Sequence, residues 1–404
     1  MTQDTGCRIH DENILNHISC IVHHVSGSEI FCEGHNMKKA LLFLLLLFLL
    51  SSGCHKKEDV IKIGLAGPMT GDQAKMGMDF KNGASLAVEE WNGKGGVLGK
   101  KIEMIVSDDQ HDPKQAVSVA NKMINEGAVG VIGHFNSSCS IPASDVYNRA
   151  GIPMITPGST NPQLTDKGYR GVFRVCGRDD QQGRIGAEFV LNHLKIRSAA
   201  ILHDKTTYGQ GLADEFRKFL GDKVNVVYYG GIVPGDKDLK TVLIAIKSKS
   251  PDLIFFGGIY PEAGLLVKQS KELGMNVKFM SGDGTIDPKF IEIAGIPAAE
   301  GAFLTFSPDP RNIPTAKGFI EKYQSKYGEI GPYSIYAYDT ANILLTAIRE
   351  AASTEGKLII DKLHSLEFDG ALGKIKFDEK GDVIGSPYVV WITKGGKFEE
   401  YWKP

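Results

Sequence analysis

From about residue 60 to about residue 280, short runs of β-branched and aliphatic residues alternate with segments whose apolar residues recur every three or four positions. A strand shows period two and a helix period 3.6, so this alternation confines the chain to strand–helix–strand units. Val60-Ile61-Lys62-Ile63-Gly64-Leu65 alternates as a strand. Ala84, Ala87, Val88 and Trp91 share one face of a helix that closes near Asn92-Gly93. Ile102, Met104 and Val106 alternate on a second strand. Asp112-Pro113 then opens a helix: Asp caps the free amides, and Pro at the first helical position forfeits no hydrogen bond. Its buried stripe is Ala116, Val119, Ala120, Met123 and Ile124, and Gly127 ends it. Val129–Ile132 is the next strand, followed by Pro153–Ile155, Val172–Val175, Ala199–His203, Val224–Tyr229, Leu253–Phe256 and Lys278–Met280. This order dictates an α/β fold of parallel sheets covered by helices on both faces. So many units exceed one comfortable sheet and imply two lobes.

Open parallel sheets bind ligands beyond the carboxyl ends of their strands. That rule selects the segments Gly133–Ser140, Thr156–Thr160, Asp204–Gly211, Gly257–Glu262 and Ser281–Thr285. All are rich in Gly, Ser, Thr, Tyr or acid, so they are the candidate site.

Other chemistry finds little support. The formal net charge is -2, which offers no electrostatic case for nucleic acid. Asn92 to Lys100 is glycine-rich, but it lacks phosphate-loop spacing and follows a helix rather than a strand. Asp108-Asp109-Gln110-His111-Asp112 offers four metal ligands in five residues. Neighbours on an extended strand end point to opposite sides, and Asp112 is already needed as a cap, so no metal is assigned. No G-x-S-x-G or H-E-x-x-H motif occurs. His134, His203 and His364 are far apart in the chain, and His134 and His203, each ending a strand, are read as packed structural residues, so no triad is assigned. The expectation is a binding protein, without catalysis and without a cofactor.

The front of the chain reads as a targeting segment. Met37-Lys38-Lys39 is a positive n-region, Ala40–Leu50 is an apolar run, and Ser51-Ser52-Gly53-Cys54 places small residues before a cysteine. Eleven apolar residues are too few to span a bilayer, which needs about 20. The cysteine resembles that of a bacterial lipobox, with Ser51 where the pattern favours Leu. Residues 37–53 are thus expected to be a lipoprotein signal, Cys54 the lipidated residue and 54–59 a tether, with an ordinary cleaved signal as the alternative. Residues 1–36 carry three C-x-x-H pairs, Cys7/His10, Cys20/His23 and Cys32/His35. Zinc ligands ahead of a signal peptide make little mechanistic sense, so this stretch is read as an upstream extension, with Met37 as the true start. Of the remaining cysteines, Cys139 and Cys176, sequence leaves the pairing open.

The loops resemble those of the periplasmic leucine/isoleucine/valine-binding proteins. The resemblance rests on Val131-Ile132-Gly133-His134, Ser137-Ser138, Pro142-Ala143-Ser144-Asp145, Met154-Ile155-Thr156-Pro157, His203-Asp204-Lys205 with Tyr208-Gly209, and Asp109 with Asp112-Pro113-Lys114-Gln115-Ala116. It runs from about Val60 to Trp402. It implies a type I periplasmic binding protein, with two Rossmann-like lobes joined by three crossing strands that close on a ligand in the cleft. By analogy the first lobe takes 60–178 and 307–385, and the second 179–306 and 386–404. Ser137 matches the serine that holds the ligand carboxylate. Gly158 and Thr160, with Ser159 between them, match the loop gripping carboxylate and ammonium. Tyr208 matches the aromatic that closes from the second lobe, and Asp283 an acid facing the ammonium. Met76 and Phe135 fall where the side-chain pocket is lined. The resemblance also implies a monomer outside the cytoplasm that delivers a small amino acid to an ABC permease. Branched aliphatic amino acids are the first choice of ligand. An amide, a short-chain organic acid or a sensory-receptor role is the alternative. Two departures stand out. His111 and Asn136 occupy positions where a relative has a disulfide, and Ile259 replaces a loop aromatic, with Tyr260 next along.

Overall fold

The computed structural model describes residues 59–404. The signal, lipidation and C-x-x-H readings lie outside the described residues. Strands β1 (Ile61–Gly67), β2 (Ile102–Asp108), β3 (Ala128–Ile132), β4 (Met154–Thr156) and β5 (Val172–Arg174) form one sheet in the order β2-β1-β3-β4-β5, every pair parallel. A second sheet contains β6 (Ser198–His203), β7 (Asn225–Gly231), β8 (Leu253–Gly257), β9 (Lys278–Ser281) and β10 (Phe303–Phe306). β11 (Glu367–Gly370) and β12 (Gly373–Lys376) form a separate hairpin. β13 (Val389–Lys394) and β14 (Lys397–Trp402) extend the second sheet, giving the order β14-β13-β10-β9-β8-β6-β7. Its pairs from β7 to β10 are parallel, and β13 and β14 are antiparallel additions. Both sheets carry the expected α/β architecture.

Local rules explain the helices. In α1 (Ala74–Gly93), Phe80, Ala84 and Ala87 face inward. α2 (Pro113–Asn125) starts as expected: Asp112 Oδ1 accepts the amides of Lys114 and Gln115, each at 2.8 Å. α3 (Ser137–Ala150), α4 (Asp179–Phe189), α5 (Thr207–Leu220), α6 (Tyr260–Glu272) and α7 (Lys317–Tyr327) follow. α8 (Ser334–Ala351) is buried on most of its surface and packs on α1, β3 and β4, so this late segment completes the core of the first sheet. The α1–α8 crossing is so close that a Cβ on Gly83 would sit 2.0 Å from Ser334 O. Ile335, Leu344, Ile348 and their neighbours are fully buried there, each contributing about 1.5–3 kcal/mol. On the second sheet, Phe216 of α5 stacks on Phe255 of β8 with ring centroids 3.8 Å apart.

The chain passes between the sheets three times, after Arg174, after Phe306 and before Val389. The first and third passages are tied together. Arg174, 0% exposed, donates Nε to Asp382 Oδ1 (2.5 Å), Nη1 to the carbonyls of Ser159 (2.9 Å) and Asn161 (3.0 Å), and Nη2 to Thr165 Oγ1 (2.6 Å). Arg178 Nη1 reaches Asp382 Oδ2 at 2.8 Å. Cys139 and Cys176 are both free thiols and buried.

Candidate functional site

The carboxyl ends of β3, β4 and β5 face loops that follow β6, β8 and β9. Between them lies a small cavity walled by Phe135, Ser137 and Gly158 on one side, by Tyr208, Ile259 and Asp283 on the other, and by Tyr333 from the turn before α8. The room left amounts to about 10 Å³, roughly what one water needs. A second small space behind it shares Asp283 and Tyr333 and reaches Cys176, Tyr336 and Tyr388 at the crossings. A ligand the size of an amino acid therefore enters only when the walls part.

Asp283 is the centre of this arrangement. Its Oδ1 accepts the Tyr208 hydroxyl and its Oδ2 the Tyr333 hydroxyl, both at 2.8 Å. The Tyr208 oxygen in turn accepts the amide of Gly284 at 3.0 Å. Burial raises the Asp283 pKa, and the two tyrosine donors oppose the rise. The tyrosines come from opposite sides: α5 belongs with the second sheet, and the Tyr333 turn with the first.

Asp179 is different. It is the first residue of α4, 0% exposed, and neither carboxylate oxygen has a hydrogen-bond partner of good geometry, although the Thr160 hydroxyl is close enough to lower its pKa. The Thr160 hydroxyl beside it and the Gln182 carbonyl oxygen also lack partners of good geometry. Burial, and then the charge of Asp283, push the Asp179 pKa well above the usual carboxylate range. An unpartnered buried acid costs several kcal/mol in the effective sense unless it protonates or meets a cation.

One side of the cavity suits an anion. Asn136 and Ser137 form its wall at the start of α3, where first-turn amides have no helical acceptor and the helix dipole favours negative charge. Ser137 Oγ accepts the Asn161 amide at 3.2 Å and retains its own proton to donate. Gly158 sits so tightly against Phe135 that a Cβ there would lie 2.7 Å from the ring. Phe135 meets Tyr333 edge-on at 5.0 Å and Phe80 at 5.5 Å.

The structure thus brings Phe135, Ser137, Gly158, Tyr208 and Asp283 onto one cavity and leaves three other sequence candidates off its wall. Thr160 stands beside Asp179. Ser159 Oγ turns into the first lobe, 2.6 Å from Ser140 Oγ and 2.9 Å from Phe135 O. Met76 is fully buried in the apolar cluster that holds Phe80 and Phe135. Ile259 lines the cavity, while the hydroxyl of Tyr260 donates to Asp72 O outside it. Where a relative has a disulfide, His111 and Asn136 are linked through hydrogen bonds: Asn136 Nδ2 donates to Gln73 Oε1 at 2.8 Å, and Gln73 Nε2 meets His111 Nδ1. His134 is enclosed, 2.7 Å from Asp109 Oδ2 through Nδ1 and 3.2 Å from Tyr147 through Nε2. Among the described residues no group of His, Cys, Asp and Glu is arranged to hold a metal ion.

Sequence reasoning passed over Asp179, Gln182 and Tyr333. Asp179 carried a signal, since it follows β5 and falls under the same strand-end rule as the other loops. Tyr333 carried none, because no strand precedes it.

Comparisons place this geometry among known proteins. The family described as "Periplasmic binding protein" matches residues 60–397. An "Amino acid binding protein" of Pseudomonas aeruginosa is 42% identical over 363 residues, covering 89% of this chain and 97% of that protein. A "Leu/Ile/Val-binding protein homolog 2" of Brucella abortus is 40% identical, covering 90% and 99%. Among solved structures, the leucine binding protein LivK of Thermotoga maritima superposes with a TM-score of 0.80 at 32% identity, covering 85% of this chain and 99% of that one. The branched-chain amino acid transporter substrate binding protein LivJ of Streptococcus pneumoniae, in complex with isoleucine, has a TM-score of 0.79 at 29% identity, with 86% and 100% covered.

Proposed function

Because this chain belongs to the periplasmic binding protein family, we propose that it captures a small amino acid, most favourably leucine, isoleucine or valine, between its two lobes and delivers it to an ABC importer. The observation that carries this reading is the buried carboxylate of Asp179, whose two oxygens find no partner of good geometry, next to Asp283. A free amino acid carries one cation and one anion at fixed separation. Its ammonium fits Asp179, Thr160 and Asp283, and its carboxylate fits Ser137 and the first-turn amides of α3. Its side chain meets Phe135, Ile259 and Tyr333, with Gly158 giving room and Tyr208 closing from the other lobe. Ser159 acts by holding the Phe135 carbonyl, and Met76 by backing the same apolar wall. An aliphatic side chain gains about 2–3 kcal/mol on burial, and micromolar affinity needs only about -8 kcal/mol in total.

The lobes are proposed as 60–178 with 307–385 and 179–306 with 386–404, hinged at the three passages. The relatives named for Leu, Ile and Val binding support the ligand class. The protein binds without turnover, acts as a monomer, and is exported and held at the membrane by lipid on Cys54. Calorimetric titration with Leu, Ile, Val, Ala, Thr, Glu and Phe, after partial unfolding to strip carried ligand, tests the reading. Micromolar or tighter heat with the aliphatic set is expected. Silence with all of them moves the ligand to amides or short organic acids.

A further inference from the structure

A cavity lined by charged residues lies far from the cleft. It holds about 690 Å³ and opens at the amino ends of β6, β8 and β9, the opposite edge of the second sheet from Asp283. Five cations line it, Lys195, Arg197, Lys247, Lys271 and Lys278, against two acids, Asp252 and Glu300. Both acids accept backbone amides, and Asp252 also feels the charge of Arg197; cations outnumber acids by five to two along the wall. Asp252 Oδ2 accepts the amides of Arg197 (2.8 Å) and Ser198 (2.9 Å), and Glu300 Oε2 accepts the amide of Gly395 (2.9 Å). Lys247 Nζ is held by Leu273 O at 2.6 Å. Lys195, Arg197, Lys271 and Lys278 have no carboxylate within ion-pairing distance among the described residues, whereas Lys240, on the neighbouring surface, pairs with Glu272 at 3.3 Å.

We propose that this cavity is a second binding site, for a ligand bearing two or more phosphate-type charges. Like charges gathered around one concavity repel each other, and a concave wall of low dielectric focuses their field. A multivalent anion relieves that repulsion with several charge-assisted hydrogen bonds at once, which a single chloride cannot do. The volume falls in the range of small-molecule sites, about 300–1,000 Å³. Its place at the far edge of the sheet makes it independent of the cleft, so both ligands can be held together.

Titration of inorganic pyrophosphate into the full-length protein tests this. Binding that tightens as sodium chloride is lowered is expected. The variant Lys195→Gln/Arg197→Gln/Lys278→Gln, whose changed side chains are all exposed, should weaken it at least about tenfold, while leucine binding in the cleft is unaltered. Lys271→Gln alone should weaken it a few-fold. Co-sedimentation with phosphatidylcholine vesicles containing phosphatidylglycerol separates the sources: vesicle binding lost in the triple variant assigns the charges to lipid headgroups, and pyrophosphate binding alone assigns a soluble anion. Absence of both at low salt, or affinity untouched by the triple variant, overturns the proposal.

Discussion

Arg174 and Asp179 are five residues apart, both wholly buried, and their surroundings are opposites. Around Arg174 the polar groups are matched: the guanidinium meets Asp382, Thr165 and two carbonyls, and Arg178 takes the remaining oxygen of Asp382. Around Asp179, its two carboxylate oxygens, the Gln182 carbonyl oxygen and the Thr160 hydroxyl find no partner of good geometry. A matched buried network gains nothing from a ligand, so its work is to hold the first and third passages together. An unmatched one is completed only from outside, which is why the proposed site takes the ligand ammonium at Asp179. Asp283 stands between these extremes, with both oxygens engaged by tyrosines from the two sides.

The largest effect expected is on the matched network. Arg174→Ala leaves Asp382 buried beside an empty space and should lower stability by about 3–5 kcal/mol in urea unfolding. A loss below about 1 kcal/mol, the range of an exposed pair, means that the network is not a staple and the contrast fails. Next, Asp179→Asn should weaken amino-acid binding about a hundredfold while the melting temperature holds, because an amide of the same shape replaces a buried carboxyl that burial already keeps from ionising and only the ammonium loses its counter-charge. Unchanged affinity with unchanged melting transfers the ammonium to Asp283 alone. Asp283→Asn should weaken binding by at least about tenfold and leave the fold intact, a smaller loss than at Asp179 because its tyrosine partners remain. Equal affinity to the unaltered protein removes Asp283 from the site.

The smallest effect is on pH dependence. The Asp179 and Asp283 carboxyls titrate above their ordinary range, so between the unfolded and folded pKa values the folded protein holds protons that the unfolded chain has released. The folded state then binds more protons, and their contribution to stability falls as pH rises through the folded pKa. Asp79 and Asp339, raised from 3.8 to about 7 by burial, act in the same direction over that window. An arriving ammonium favours the charged carboxylates, so ligand capture should release protons and weaken on acidification. Binding heats in buffers of different ionisation enthalpy measure this, and heats independent of buffer show that the carboxylates are already ionised.

Much of this was legible along the chain. Strand periodicity placed β1 to β9, Asp112-Pro113 announced the start of α2, the strand-end rule led to the loops that hold Ser137, Gly158, Tyr208 and Asp283, and the family resemblance singled out those residues within them. These signals are local, because period, cap and turn depend on neighbours a few residues away. Beyond β9 the reading thinned: β11 to β14 pair antiparallel, so they lack the strand–helix rhythm. Partnership across the cleft is another matter. Tyr208 lies 75 residues and Tyr333 50 residues from the carboxylate they share. Asp382 lies 208 residues from Arg174. No local pattern states which buried acid will find a donor at such separations. Only the packing of the two sheets across three passages left Asp283 satisfied and Asp179 open, because burial and hydrogen-bond geometry are properties of the assembled lobes.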